Sequence, residues 1–290
     1  METFPEAMSR SVRTIDGVTP FVPNRRGDTL AAYRIDLTRS GHEVRLRGPA
    51  DAVRHLLALP TDVARYQARW PGRPERVEWT HLLVADTPPD PRIKDCLDIL
   101  CHVVSVPCPE ITAMVVLDWY KDPEGEVDPQ LWRNTTAGEL TSRAKYRYSH
   151  NAYRQAEVGR VLVGAMVTVI EALPHYAAAD AVLGVPGHDR SQVSFGARIA
   201  PTLQEALNLP HVRVQPRDSY RPQMKSLAPA ERVAALKDQF TIAADLTGKV
   251  VIIADDVLRS GSSLRAVAQA ARAAGAVRTL GIAIVRTMRS

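Results

Sequence analysis

The sequence predicts an α/β protein built on a doubly wound, mostly parallel sheet. Three observations carry that expectation. Short apolar runs rich in Val and Ile stand at residues 181–185, 250–254 and 277–285. Segments of helical period lie between and before them, at 151–173, 192–207 and 262–274. Pro, Gly and Ser mark the changes from one to the next. Strands alternating with helices imply parallel pairing, and ligands of such sheets gather beyond the carboxyl ends of the strands.

Bulk properties agree with a folded enzyme-sized chain. The 290 residues are 45% hydrophobic and 24% charged, enough for one large domain or two ordinary ones with a substantial core. The net charge of +5 is spread along the chain, which suits a polyanionic substrate and does not single out nucleic acid. Between Met1 and Thr80 arginines barely outnumber acidic residues, too slight an excess to identify a DNA-binding module. No apolar run reaches the roughly 18 residues of a membrane span, and the stretch from Met1 to Arg13 has no signal-peptide pattern. Three cysteines fit a reducing compartment, so a cytoplasmic protein is expected.

Residues 1–140 read as an α+β unit and residues 141–290 as the parallel-sheet unit. Residues 20–28 are polar and turn-rich; 32–37 and 43–47 alternate like the arms of a hairpin. A helix is expected at 49–59, and strands at 79–85 and 113–117. Breakers fall at 86–92, where Asp86 and Asp90 flank Pro88–Pro89, and at 121–127. A short helix at 139–144 precedes the long one at 151–173, whose stripe is Val158, Leu162, Ala165, Met166, Val169, Ile170 and Leu173. The strand at 181–185 ends at Pro186–Gly187, and a helix follows at 192–207. A short strand at 211–214, a polar loop at 215–228 and a helix at 229–236 opened by Pro229 lead to the strand at 250–254. The helix at 262–274 is stopped by Gly275 before the last strand at 277–285.

The most informative stretch joins these last elements. Five apolar residues, Val250 to Ala254, are followed by Asp255–Asp256, then Val257–Leu258–Arg259, then Ser260–Gly261–Ser262–Ser263 opening a helix. Backbone N–H groups and hydroxyls at a helix start favour a phosphate, and Gly261 allows positive φ or close approach. Carboxylates would repel a phosphate in direct contact, but they accept hydrogen bonds from two vicinal hydroxyls, directly or through a magnesium ion. A phosphate with a cis-diol a few ångströms away describes ribose 5-phosphate. The plainer reading is that the acids end a strand and the serines cap a helix; the full ordered pattern argues against it.

This segment resembles the phosphoribosyl-pyrophosphate (PRPP) signature of the type I phosphoribosyltransferases. The similarity narrows to the ComF-like branch through Arg143–Ala144–Lys145–Tyr146, Asp180 to Pro186, Gln223, Leu227, Glu231–Arg232 and Phe240. It covers roughly half the chain, and the loop Gly184–Val185–Pro186–Gly187–His188–Asp189–Arg190 keeps only part of the family pattern. The resemblance implies a type I PRTase-like fold, and residues 1–140 are expected as an N-terminal α+β extension, either a hood that binds the acceptor or a partner surface. It implies Asp255 and Asp256 as catalytic and Mg2+-linked residues on the ribose hydroxyls. Arg259, Ser260, Gly261, Ser262 and Ser263 would then hold the 5-phosphate. Gly187, His188, Asp189 and Arg190, with Arg221 and Lys225 from the loop at 217–225, would hold the pyrophosphate. The implied activity is Mg2+-dependent transfer of ribose 5-phosphate from PRPP to a nitrogenous base or other small-molecule acceptor, in a homodimer.

Alternatives remain at several positions. Residues 187–191 also fit an ordinary strand–helix turn, and 217–225 a solvated loop. Lys145 could reach a phosphate but is expected as a plain exposed lysine. Cys96, Cys101, His102 and Cys108 lack paired Cys-x-x-Cys spacing and stand among apolar residues; buried thiols are expected rather than zinc ligands. The rival functions are a non-catalytic PRPP or nucleotide sensor and a phosphoribohydrolase.

Overall fold

The computed structural model describes residues 29–38, 41–59, 67–69, 79–85, 88–89, 91–122, 128–187, 195–217 and 239–287. The turn-rich start at 20–28, the helix expected at 229–236, Asp86 and Asp90, and most of the loops at 121–127 and 217–225 lie outside these residues.

Near the N-terminus, β1 (Ala32–Thr38) and β2 (Gly41–Arg47) form the expected hairpin, with antiparallel register from Ala32↔Arg47 to Thr38↔Gly41. β3 (Gln67–Arg69) and β4 (His81–Ala85) complete a four-stranded antiparallel sheet of order β1-β2-β4-β3. Helix α1 (Ala50–Leu57) follows β2 as expected. Helix α2 (Arg92–Leu100) buries Ile93, Cys96, Leu97, Ile99 and Leu100, a stripe the proline cluster before it disguised.

The central sheet has six strands. These are β5 (Val104–Ser105), β6 (Ala113–Trp119), β9 (Ala181–Gly184), β10 (His211–Val212), β13 (Val250–Leu258) and β14 (Arg278–Arg286), in the order β10-β9-β13-β14-β6-β5. All adjacent pairs are parallel except the edge pair of β5 with β6. This is the α/β architecture with a mostly parallel sheet that the alternation predicts. The sheet crosses residue 140, because β5 and β6 come from before that position and β6 pairs directly with β14.

Between β6 and β9 the chain makes a small pair, β7 (Lys121–Asp122) with β8 (Arg133–Asn134), and then helix α3 (Thr136–Ser142). Thr135 caps α3 by accepting the Gly138 N–H at 3.0 Å. The short helix expected at 139–144 thus begins earlier, and at Arg143–Arg147 it loosens into a single π-turn. Helix α4 (Ala152–Ala172) realises the long apolar stripe: Val158, Leu162, Met166, Val169 and Ile170 are all buried. Each such side chain contributes about 1.5–3 kcal/mol by leaving water. A four-residue helix, α5 (Pro174–Ala177), then turns the chain toward β9.

Helix α6 (Phe195–Leu207) packs on β9 and β13 on the same side as α4, in one core with Ile252, Ala254, Leu280, Ile282 and Ile284. Helix α7 (Ser262–Ala273) covers the opposite face through Leu264, Val267, Ala268 and Ala271 against Val251, Ile253 and Ala283. Inside the expected polar loop, β11 (Gln215–Pro216) pairs antiparallel with β12 (Phe240–Thr241). Tyr176 anchors α5 beneath the sheet: its hydroxyl lies 3.0 Å from the Ala113 carbonyl and 2.7 Å from that of Gly281, and it stacks on His55 of α1. No helix among the described residues is long and apolar enough to cross a membrane.

Candidate functional site

Because β6, β9, β13 and β14 are parallel, their carboxyl ends share one edge. β9 stops at Gly184, while β13 runs on to Leu258, so the second half of β13 projects past its neighbour. The strand expected at 250–254 therefore continues through the acidic pair, which keeps laddering to β14 by Asp255↔Ala283 and Val257↔Val285. Successive strand residues face opposite ways. Asp255 shares a row with Ala283 and Val116, both in the core on the α7 side. Asp256 faces the other layer.

The two carboxylates consequently live in different surroundings. Asp256 is buried, with 7% of its surface exposed, and its Oδ2 accepts from Lys145 Nζ at 2.8 Å. It presses on the first turn of α6, where a Cβ placed on Gly196 would be 3.0 Å from the same Oδ2. Asp255 is only partly buried; its Oδ1 accepts the Asp256 N–H at 2.9 Å. Withdrawal of its inner side from water raises the Asp255 carboxyl above the ordinary carboxylate range, and the charge of Asp256 raises it further, against the opposing effects of that N–H bond and of Lys145.

The Ser–Gly turn is built as its residues require. Gly261 has φ 71° and ψ 4°, the left-handed region, at the N-cap of α7. Gly261 offers no capping side chain, and the Ser262 N–H makes only a long bond, 3.4 Å, to Ser260 Oγ, so the helix start still favours an anion. Ser260 Oγ and Ser262 Oγ lie 2.8 Å apart, and Arg259 and Ser260 are exposed. Ser262 and Ser263 form the first turn of the helix. Gly187 follows β9 at the same edge of the sheet. His188, Asp189, Arg190, Arg221 and Lys225 lie outside the described residues.

Lys145 corrects the expectation of a plain exposed lysine: it is the counter-ion of Asp256. Three further residues were not singled out by sequence: Gly196, Gln155 and Arg198. Gln155 of α4 donates from Nε2 to the Ala144 carbonyl at 2.7 Å, and its Oε1 accepts from Arg198 of α6 at 2.8 Å. The available signals were a lysine just before a long helix and a glycine opening one. Neither says which partner it meets.

No disulfide joins the cysteines, and Cys96 and Cys108 are buried in cores on opposite faces of the sheet. Burial raises both thiols well above their ordinary range. Among the described residues no group of three His, Cys, Asp or Glu side chains could hold a metal ion.

No protein-family model and no curated protein sequence matches this chain. Among solved structures, it is similar to the purine phosphoribosyltransferase from Pyrococcus horikoshii Ot3, at 20% identity over 44% of this chain and 80% of that one, with a TM-score of 0.30. It is also similar to an adenine phosphoribosyltransferase at 22% identity, covering 47% of this chain and 73% of that one, with a TM-score of 0.35. The adenine phosphoribosyltransferase from Saccharomyces cerevisiae matches at 18% identity, over 58% of this chain and 82% of that one, with a TM-score of 0.34.

Proposed function

We propose that this chain binds PRPP and transfers its ribose 5-phosphate to a nitrogenous base or other small acceptor, releasing pyrophosphate. The observation that carries the reading is β13 itself, which delivers Asp255 and Asp256 past the end of β9 and then enters α7 through the left-handed Gly261. The N–H groups of Ser262 and Ser263, with the Ser260 hydroxyl and Arg259, favour the 5-phosphate. The acidic pair favours the ribose hydroxyls. As C1 parts from pyrophosphate, positive charge grows on the sugar ring, and the nearby carboxylates stabilise it. Gly187 to Arg190, Arg221 and Lys225 are proposed to neutralise the leaving pyrophosphate. Of residues 1–140, β5 and β6 belong to the central sheet, and the part before them is proposed to shape the acceptor side or to offer a partner surface.

Magnesium belongs to the proposal. No protein cage stands at this edge among the described residues, but magnesium is commonly held by one or two carboxylates together with substrate phosphates. Asp255, which forms no ion pair among the described residues, fits that part; a bound ion would displace the proton that its raised pKa favours and would neutralise pyrophosphate oxygens. A second reading, a PRPP or nucleotide sensor without turnover, is favoured by the ion pair that already neutralises Asp256. Mixing the protein with PRPP, Mg2+ and a panel of bases separates the two. Pyrophosphate release supports transfer, saturable PRPP binding without release supports the sensor, and hydrolysis of a preformed nucleotide would replace both.

A further inference from the structure

The two acids of the β13 motif are not equivalent, and the side chain that separates them comes from far upstream, in the π-turn before α4. We infer that Lys145 is a positioning residue: it seats the Asp256 carboxylate against Gly196 as a fixed counter-charge, and leaves Asp255 as the carboxylate that meets the sugar hydroxyls or a divalent cation. The inference rests on the reading above for what the site binds.

Four observations carry it. The Lys145 Nζ–Asp256 Oδ2 pair, at 2.8 Å, is largely withdrawn from water, with side chains 26% and 11% exposed. Ion pairs so placed are costly to break from one side. The seat has been cleared for it: Gly196 does not have a positive φ, so its backbone does not demand glycine, yet any Cβ would meet the Asp256 carboxylate at 3.0–3.1 Å. The lysine is itself aimed by a brace. It stands in the π-turn at Arg143–Arg147, whose Ala144 carbonyl accepts from buried Gln155, which in turn is held by Arg198 of α6. One closed circuit thus runs from α6 through α4 and the π-turn to β13 and back to α6. Asp255, by contrast, accepts the N–H of its own neighbour and takes part in no ion pair among the described residues.

The consequence is a division of labour. With its charge already answered from inside the protein, Asp256 shapes and charges the pocket without needing a metal. A divalent cation brought by PRPP then has Asp255 as the member of the pair open to it.

A double-mutant cycle on Lys145→Met and Asp256→Asn tests this, with Asp255→Asn alongside. Calorimetry with PRPP and Mg2+ should show each member of the pair weakening affinity by about tenfold, with the double variant no weaker than Asp256→Asn. Mn2+ held in the presence of PRPP, followed by electron paramagnetic resonance, should persist in the double variant and vanish in Asp255→Asn. Losses that add, or loss of the Mn2+ signal in the double variant, would overturn the inference. If the wild type takes up no PRPP, the proposed function fails, and the thermal unfolding midpoint still decides the role of Lys145. Partial recovery in the double variant relative to the singles upholds it, because no lone buried charge remains; losses equal to the sum overturn it.

Discussion

Replacing Gly196 with alanine isolates the seat of the acidic pair. The new Cβ would lie 3.0 Å from Asp256 Oδ2 and 3.1 Å from its Cγ, where ordinary contact begins at 3.4 Å. The carboxylate must retreat by a few tenths of an ångström, and Lys145 holds the same oxygen at 2.8 Å. Overpacking of this kind costs about 1–3 kcal/mol. Against it stands the gain from removing a helical glycine, about 0.5–1 kcal/mol. The net is a loss of about 1 kcal/mol at mid-range, and about 2.5 kcal/mol at most. Gly164, in the middle of α4, is the control: nothing lies within 4 Å of a Cβ there, so Gly164→Ala gains about 0.5–1 kcal/mol. Urea unfolding of the two variants should therefore give opposite signs, and calorimetry should show weakened PRPP binding for Gly196→Ala alone. If Gly196→Ala stabilises the protein as Gly164→Ala does, with affinity intact, the seat does not hold Asp256 as described.

Further outcomes can be measured on the same protein. In the metal-free protein Asp255 has a raised folded pKa, so above the usual carboxylate range the folded state keeps a proton the unfolded state lacks, and stability falls as pH rises until Asp255 ionises in the fold as well. Without metal or PRPP, Asp255→Asn should therefore melt like the wild type in acid, where both states are protonated, and increasingly above it as pH rises; a constant difference across pH contradicts the burial argument. His55 and His175, 3.1 Å apart and buried, are held low by burial, His55 at about 4. Here the unfolded state binds protons first, so their contribution is intact above about pH 6.5 and is lost as pH falls toward about 4. His175→Phe should flatten that acid limb of a Tm profile, and an unchanged limb refutes the assignment. Gly261→Val should destabilise by about 1–2 kcal/mol and abolish phosphate binding, while Gly261→Asn, which tolerates left-handed φ, keeps it. Equal behaviour of the two, by denaturation and calorimetry, removes the conformational argument.

What the sequence made legible were features of short range. The apolar run at Val250 to Ala254, the stripe of α4 and the glycine before Ser262–Ser263 each announce their element, because periodicity and turn chemistry are local. The hairpin of β1 and β2 was legible for the same reason. The end of β13 was not: Asp255 and Asp256 disfavour a strand on their own, and the ladder to β14 carries them. Nor was the place of β6. Its apolar run marks a strand, but nothing between Ala113 and Trp119 says that it joins the sheet beside β14, at the other end of the chain. Lys145 shows the limit most sharply. A lysine flanked by Arg143, Tyr146 and Arg147 looks solvent-facing, and only tertiary packing turns it onto the carboxylate of a strand remote in sequence.

The central claim is that β13 and its Ser–Gly turn form one sugar-phosphate site, and a titration of PRPP with Mg2+ into the wild type and Asp255→Asn tests it most directly. Saturable heat in the wild type that disappears in the variant, with the variant still folded, is the result the geometry predicts. No heat in the wild type, or equal heat in both, contradicts it.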